Sequence, residues 1–298
     1  MNEKSNGVTR RKFLLHLSVM SPVLALFALK GRDFVGLTFA QTATPAATLE
    51  PTALDCVASP SMTEGPYFVD EMLKRVDIRT DPTDNTVKQG VPLNLQITVF
   101  NVNGNACSPL KGAQIDIWHC DATGLYSDEA ANNTVGKKFL RGYQLTDDSG
   151  LVNFTTIYPG WYRGRTVHIH GKVRTFSADG TQSYAFNTQL FFDDKFTDQI
   201  HAQAPYNAHG NRDTTNATDM VYNGTDAGAA TPDAHDLGEK MLLTLTKDGD
   251  GYAAKLNIGV DLSKPSAQSF TQPGSGGQPP RGGNPGFGTP PAIATANN

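Results

Sequence analysis

The chain has 298 residues, 38% hydrophobic and 18% charged, with 29 Gly, 18 Pro and a formal net charge of −4. That length holds two small domains or one larger β-domain, and Gly and Pro against low charge point to turn-rich β structure rather than a helical bundle. From Gln41 onward 19 Lys+Arg face 27 Asp+Glu, net −8, which argues against nucleic acid as the main partner because phosphate binding needs a basic surface.

In chain order, residues 1–40 read as an export signal. Arg10-Arg11-Lys12-Phe13-Leu14 opens an apolar stretch reaching Leu29, with a small-residue exit near Ala40, and the paired arginines resemble a twin-arginine signal. After residue 40 no stretch approaches the ~20 apolar residues of a membrane span. Residues 41–61 read as a linker, being small and Pro-containing. Val91–Phe100 alternates apolar and polar side chains, the period of a half-buried strand. Further strands are expected at Gln114–Trp118, Tyr143–Thr146, Leu151–Ile157, Thr166–Thr175, Thr188–Phe192, Lys240–Leu245 and Ala253–Val260, with turn signals at Asp147-Asp148-Ser149-Gly150 and Asp248-Gly249-Asp250-Gly251. Many short strands without helical periodicity predict an all-β, antiparallel β-sandwich over 62–262. Residues 194–239 form a long polar loop, with a short helix expected at Asp194–Gln203. The last stretch, 263–298, reads as a disordered tail, since from Pro265 it holds 7 Pro and 7 Gly in 34 residues.

Candidate chemistry concentrates in one region. His168 and His170 lie two apart on a predicted strand, so both project from one face and suit a shared metal. Tyr162 sits in a tight Pro-Gly connection just before them, and Tyr126 follows another strand end. Two phenolates and two imidazoles are a mixture of hard and borderline donors suited to Fe(III) rather than Zn or Cu(I), and with one hydroxide they balance its charge. Tyr158, which also precedes a proline, is the alternative second phenol. His119 is expected as a supporting rather than ligating residue, His201, His209 and His235 as solvated, Trp118 and Trp161 as core or pocket wall, and Asp193-Asp194 as a solvated turn. Export favours a disulfide. Cys107 and Cys120 are held apart by a predicted strand, which leaves Cys56–Cys107 as the expected pair and Cys120 buried and free.

Ile115–Tyr126 (IDIWHCDATGLY), Phe139–His170 (FLRGYQLTDDSGLVNFTTIYPGWYRGRTVHIH) and Thr188–Phe192 (TQLFF) together resemble the intradiol ring-cleavage dioxygenases, the catechol and protocatechuate dioxygenase group. Glu64-Gly65-Pro66-Tyr67-Phe68 resembles that family's secreted branch. The resemblance spans about Met62–Phe192. It implies Fe(III) ligated by Tyr126, Tyr162, His168 and His170, with Arg165 and Gln189 near the substrate and Tyr162 favoured over Tyr158. It also implies a catechol-type diol and O2 as substrates and a muconate-type diacid as product. A non-enzymatic metal- or aromatic-binding β-sandwich is the alternative.

Overall fold

The computed structural model describes residues 57–225 and 237–264. The export signal, most of the linker, His235 and nearly all of the tail lie outside them.

Among the described residues nine strands form two sheets: β1 (Pro92–Asn103), β2 (Ala106–Pro109), β3 (Gln114–Trp118), β4 (Arg141–Leu145), β5 (Leu151–Ile157), β6 (His168–Phe176), β7 (Gln182–Phe191), β8 (Thr244–Asp248) and β9 (Gly251–Val260). One sheet runs β2-β1-β9-β8, with β5 also paired to β1; the other runs β4-β3-β6-β7. Every pairing is antiparallel except β1 with β9.

The apolar set of each strand explains the layering. Leu93, Leu95, Ile97 and Val99 of β1 share one buried core with Val152 and Phe154 of β5, Ile115 and Ile117 of β3, Ile169 and Val173 of β6, and Phe186 and Leu190 of β7. Alternation then sends the intervening residues of the second sheet, namely Asp116 and Trp118 on β3, His168, His170, Lys172 and Arg174 on β6, and Asn187 and Gln189 on β7, to its opposite face. These side chains are nevertheless buried, because chain segments cover that face.

One cover is the stretch from Ser59 to Asp70. Ser59 N–H donates to Gly259 O, Met62 N–H to Asn187 O, Thr188 Oγ1 to Pro60 O and Gln189 Nε2 to Thr63 O. Ser59 and Pro60, near the end of the expected linker, are thus bonded to the sandwich. Lys172 then pairs with Glu64 at 2.5 Å, and Arg174 with Asp70 at 2.6 Å and Asp116 at 2.7 Å. Gly65, at φ +73°, passes so close that a Cβ there would lie 3.0 Å from His170 Cε1.

The expected helix is α1 (Asp194–His201), and Asp193, exposed to solvent as expected, opens it with Asp194 instead of forming a turn. Asp193 caps the helix by accepting the Phe196 N–H, and Asp194 pairs with Arg212 at 2.5 Å. The following polar segment is built from short 3-10 turns at Tyr206–His209 and Asn216–Thr218. The strand expected at Lys240–Leu245 begins at Thr244, because Glu239–Met241 is a 3-10 turn and Leu242 bridges Phe191 instead. Cys107 is disulfide-bonded and Cys120 is a free, buried thiol; the expected partner Cys56 lies outside the described residues.

Candidate metal centre and its surroundings

β6 delivers His168 and His170 to one face, and their Nε2 atoms lie 3.1 Å apart. His168 donates its Nδ1–H to Thr166 O at 2.6 Å, which leaves a lone pair on Nε2. His170 is held by parallel stacking on Trp118 of the neighbouring strand, at 4.8 Å between ring centroids.

Two loops complete the group. The tight 158–165 connection brings Tyr162 Oη to 3.3 Å from His168 Nε2. The turn after β3 brings in Tyr126, whose ring lies 5.6 Å from that of Tyr162 and 6.1 Å from that of His170. That turn is shaped by Asp121, whose Oδ1 accepts from Thr123 and Leu125 N–H. It interlocks with the 158–165 connection through Gly160, where a Cβ would fall 2.4 Å from Asp121 O.

All four side chains are nearly inaccessible, with none more than 3% exposed. Burial pushes the Tyr162 phenol up to about 12 and Tyr126 well above its usual value. It depresses both imidazoles, His170 also feeling the neighbouring His168. Without a metal, burial thus favours the neutral forms of all four groups, which gather in one buried space. The Tyr126 hydroxyl and His170 Nδ1 have no hydrogen-bond partner among the described residues. A buried hydroxyl left so is costly, and a cation among these donors removes the cost for Tyr126. Residues 126, 162, 168 and 170 therefore fit a metal ion. Among the described residues no group of three or more His, Cys, Asp or Glu could hold one; the set gathered here is two imidazoles and two phenols.

Arg165 and Gln189 also arrive here. Arg165 Nη2 donates to Gln189 Oε1 at 2.5 Å, and its Nε donates to Asp219 Oδ2 at 2.8 Å. Tyr67 stacks on Tyr126 at 4.2 Å and meets Tyr162 edge-on at 5.8 Å. Arg141 holds Tyr67 in place through its backbone carbonyl and also grips Ser127.

The alternative phenol is elsewhere. Tyr158 Oη bonds Thr197 Oγ1 at 2.7 Å and packs on Phe192 within the core between the sheets. His119 is a supporting residue: Nδ1 donates to Cys120 O and Nε2 accepts from Thr156 Oγ1. His201 and His209 are not simply solvated. His201 stacks on Tyr206 and bonds Pro159 O, while His209 packs on Trp161, because the polar segment folds back onto the 158–165 connection. Asp219, Arg141 and the direct contact of Tyr67 with the phenols escaped sequence reasoning. Tyr67 stood within a resembling motif, whereas Asp219 carries no local signal.

A dioxygenase family profile matches residues 63–208, which contains all four donors together with Arg165 and Gln189. Over this segment the chain is similar to the intradiol ring-cleavage dioxygenases. Among curated relatives, the catechol 1,2-dioxygenase of Candida albicans is 33% identical over 107 residues, covering 29% of this chain and 35% of that protein. The chlorocatechol 1,2-dioxygenase of Pseudomonas putida is 28% identical over 160 residues, covering 48% and 54%. The aligned segments thus span about a third to a half of these relatives. Among solved structures, an intradiol ring-cleavage dioxygenase from Tetranychus urticae is 29% identical, with a TM-score of 0.58, covering 71% of this chain and 98% of that one.

Proposed function

We propose that this protein is a non-haem Fe(III) dioxygenase that cleaves a catechol-type ring between its two hydroxyl-bearing carbons, taking up both atoms of O2. The observation that carries the reading is the convergence of Tyr126, Tyr162, His168 and His170 in one buried space beside Arg165 and Gln189. When bound, Fe(III) supplies a Lewis-acidic, electron-accepting centre for a catechol dianion.

The chain's own residues supply the rest. Tyr162, which a bound metal would hold as a phenolate, would on release from it be suited to take a substrate hydroxyl proton, since burial favours its protonated form. Arg165, nearly inaccessible and fixed at two corners, presents fixed positive charge where negative charge develops on the ring. Tyr67, Phe68 and Trp118 pack with Tyr126 and Tyr162 in one apolar cluster that screens the site from water.

The test is oxygen uptake by the iron-loaded protein against a panel of dihydroxybenzenes, with mass detection of ring-opened diacids. The iron-loaded protein is expected to show a visible tyrosinate-to-iron band that shifts on adding catechol. A colourless iron-replete protein would overturn the ligand set.

We further infer export through the twin-arginine signal. The disulfide at Cys107 supports it, since such bonds persist in oxidising compartments. No helix among the described residues is long and apolar enough to cross a membrane. Replacing Arg10 and Arg11 with Lys should retain the protein in the cytoplasm; unchanged export would remove this inference.

A further inference from the structure

We propose that Asp219 is a positioning residue of the ring-cleavage site, fixing with one carboxylate both the Arg165 guanidinium and, through the Thr166 backbone, the His168 ring. The role assigned to Arg165 rests on the ring-cleavage reading.

Asp219 comes from the long polar segment, 54 residues beyond Arg165. Its side chain is wholly inaccessible and that of Arg165 is 3% exposed. Oδ2 accepts Arg165 Nε–H at 2.8 Å and Thr166 N–H at 2.7 Å, while Oδ1 accepts Tyr222 N–H at 2.8 Å. The guanidinium is planar, so holding Nε on Asp219 and Nη2 on Gln189 leaves it no rotation. Thr166, whose N–H is committed to Asp219, accepts His168 Nδ1–H on its carbonyl. One carboxylate thereby orients a cation and an imidazole together.

The segment is anchored independently of this pair. Asn216 Nδ2 donates to Phe192 O, Asn216 Oδ1 accepts Thr166 Oγ1–H, and Asn216 N–H reaches Asp194. The anchors deliver Asp219 to a fixed place. The pair also carries no net charge, so Arg165 is held in the pocket without an uncompensated buried cation.

The test uses the full-length iron-loaded protein with catechol. Asp219→Asn should lower kcat about 100-fold, the scale of losing one oriented donor of charge stabilisation. KM should stay within about threefold, and the iron content and visible band should be kept, because an amide oxygen at position 219 still accepts the Thr166 N–H and so still holds His168, which confines the loss to Arg165 and the transition state. Arg165→Met should lose a similar factor, and adding Asp219→Asn to it should cost nothing more, because both act through one group. Losses that multiply, or an Asp219→Asn kcat within about threefold of the parent, would overturn the proposal. Asp219→Glu keeps the charge and shifts its place, so kcat should fall more than about tenfold on geometric grounds; undiminished kcat overturns the proposal. This variant decides the matter if Asp219→Asn does not fold.

A readout independent of turnover is the Arg165 Nε–H proton resonance of the full chain loaded with diamagnetic Ga(III). It should be shifted downfield and protected from exchange, and it should lose both features in Asp219→Asn. An unchanged resonance overturns the proposal. A parent protein that consumes no oxygen with any dihydroxybenzene overturns the ring-cleavage reading instead and leaves this resonance to judge the positioning.

Discussion

Tyr126 and Tyr158 are both fully buried tyrosines, yet one hydroxyl lacks any partner among the described residues and the other is satisfied by Thr197. That difference separates the proposed ligand from a core residue, and it predicts opposite outcomes for the same substitution. Tyr126→Phe removes a donor and should abolish or strongly shift the visible band of the iron-loaded protein. Tyr158→Phe should leave the band in place and cost about 1 kcal/mol, the worth of one hydrogen bond, measured by urea denaturation. A Tyr158→Phe variant with a displaced band would move the ligand set. Sequence spacing alone could not choose between Tyr158 and Tyr162, since both lie in one Pro-Gly connection; the choice is made by which side of the sheet each ring reaches.

The elements place these residues through two devices of different legibility. Strand alternation was readable in β1 and β5, which each bury one face, and period two also places His168 and His170 together on β6, although β3 and β6 are buried on both faces. Two other strands were missed or displaced. β2 has no fully buried residue, and the apolar Leu242-Leu243 pair ahead of β8 packs beside Phe191 without joining the strand. The interlock of the turn after β3 with the 158–165 connection was not readable either, because it depends on Gly160 meeting carbonyls about forty residues away in sequence. Gly160→Ala would place Cβ 2.4 Å from Asp121 O and 2.6 Å from Ala122 O. Backbone carbonyls yield little, so overpacking should cost about 1–3 kcal/mol and push the Tyr126 and Tyr162 turns apart. The expected result is a lower denaturation midpoint together with reduced iron retention. Full retention at the parent's stability would show the interlock to be dispensable.

Across the whole molecule, buried groups held neutral make stability depend on pH. His119 shows this most cleanly because it lies outside the donor set. Burial pulls its imidazole down to about 4 from 6.5, and its neutral form is matched to Cys120 O and Thr156 Oγ1. The folded pKa is the lower one, so between pH 6.5 and 4 the unfolded chain takes up a proton that the folded chain refuses. Stability from this residue is complete above pH 6.5 and drains away as the pH falls, by about 3 kcal/mol at pH 4. Asp70, lowered through its bond to Arg174, acts in a separate window below 3.8. Since acid also loosens a metal from histidines, the effect of His119 is isolated by difference. The urea midpoints of the parent and of His119→Gln, each iron-loaded, are compared at pH 7 and pH 4.5. The variant should be the less stable at pH 7, having lost a fitted ring, but should lose less on acidification. Parallel declines would mean that the His119 site admits the proton after all, through a Thr156 hydroxyl that turns to accept it.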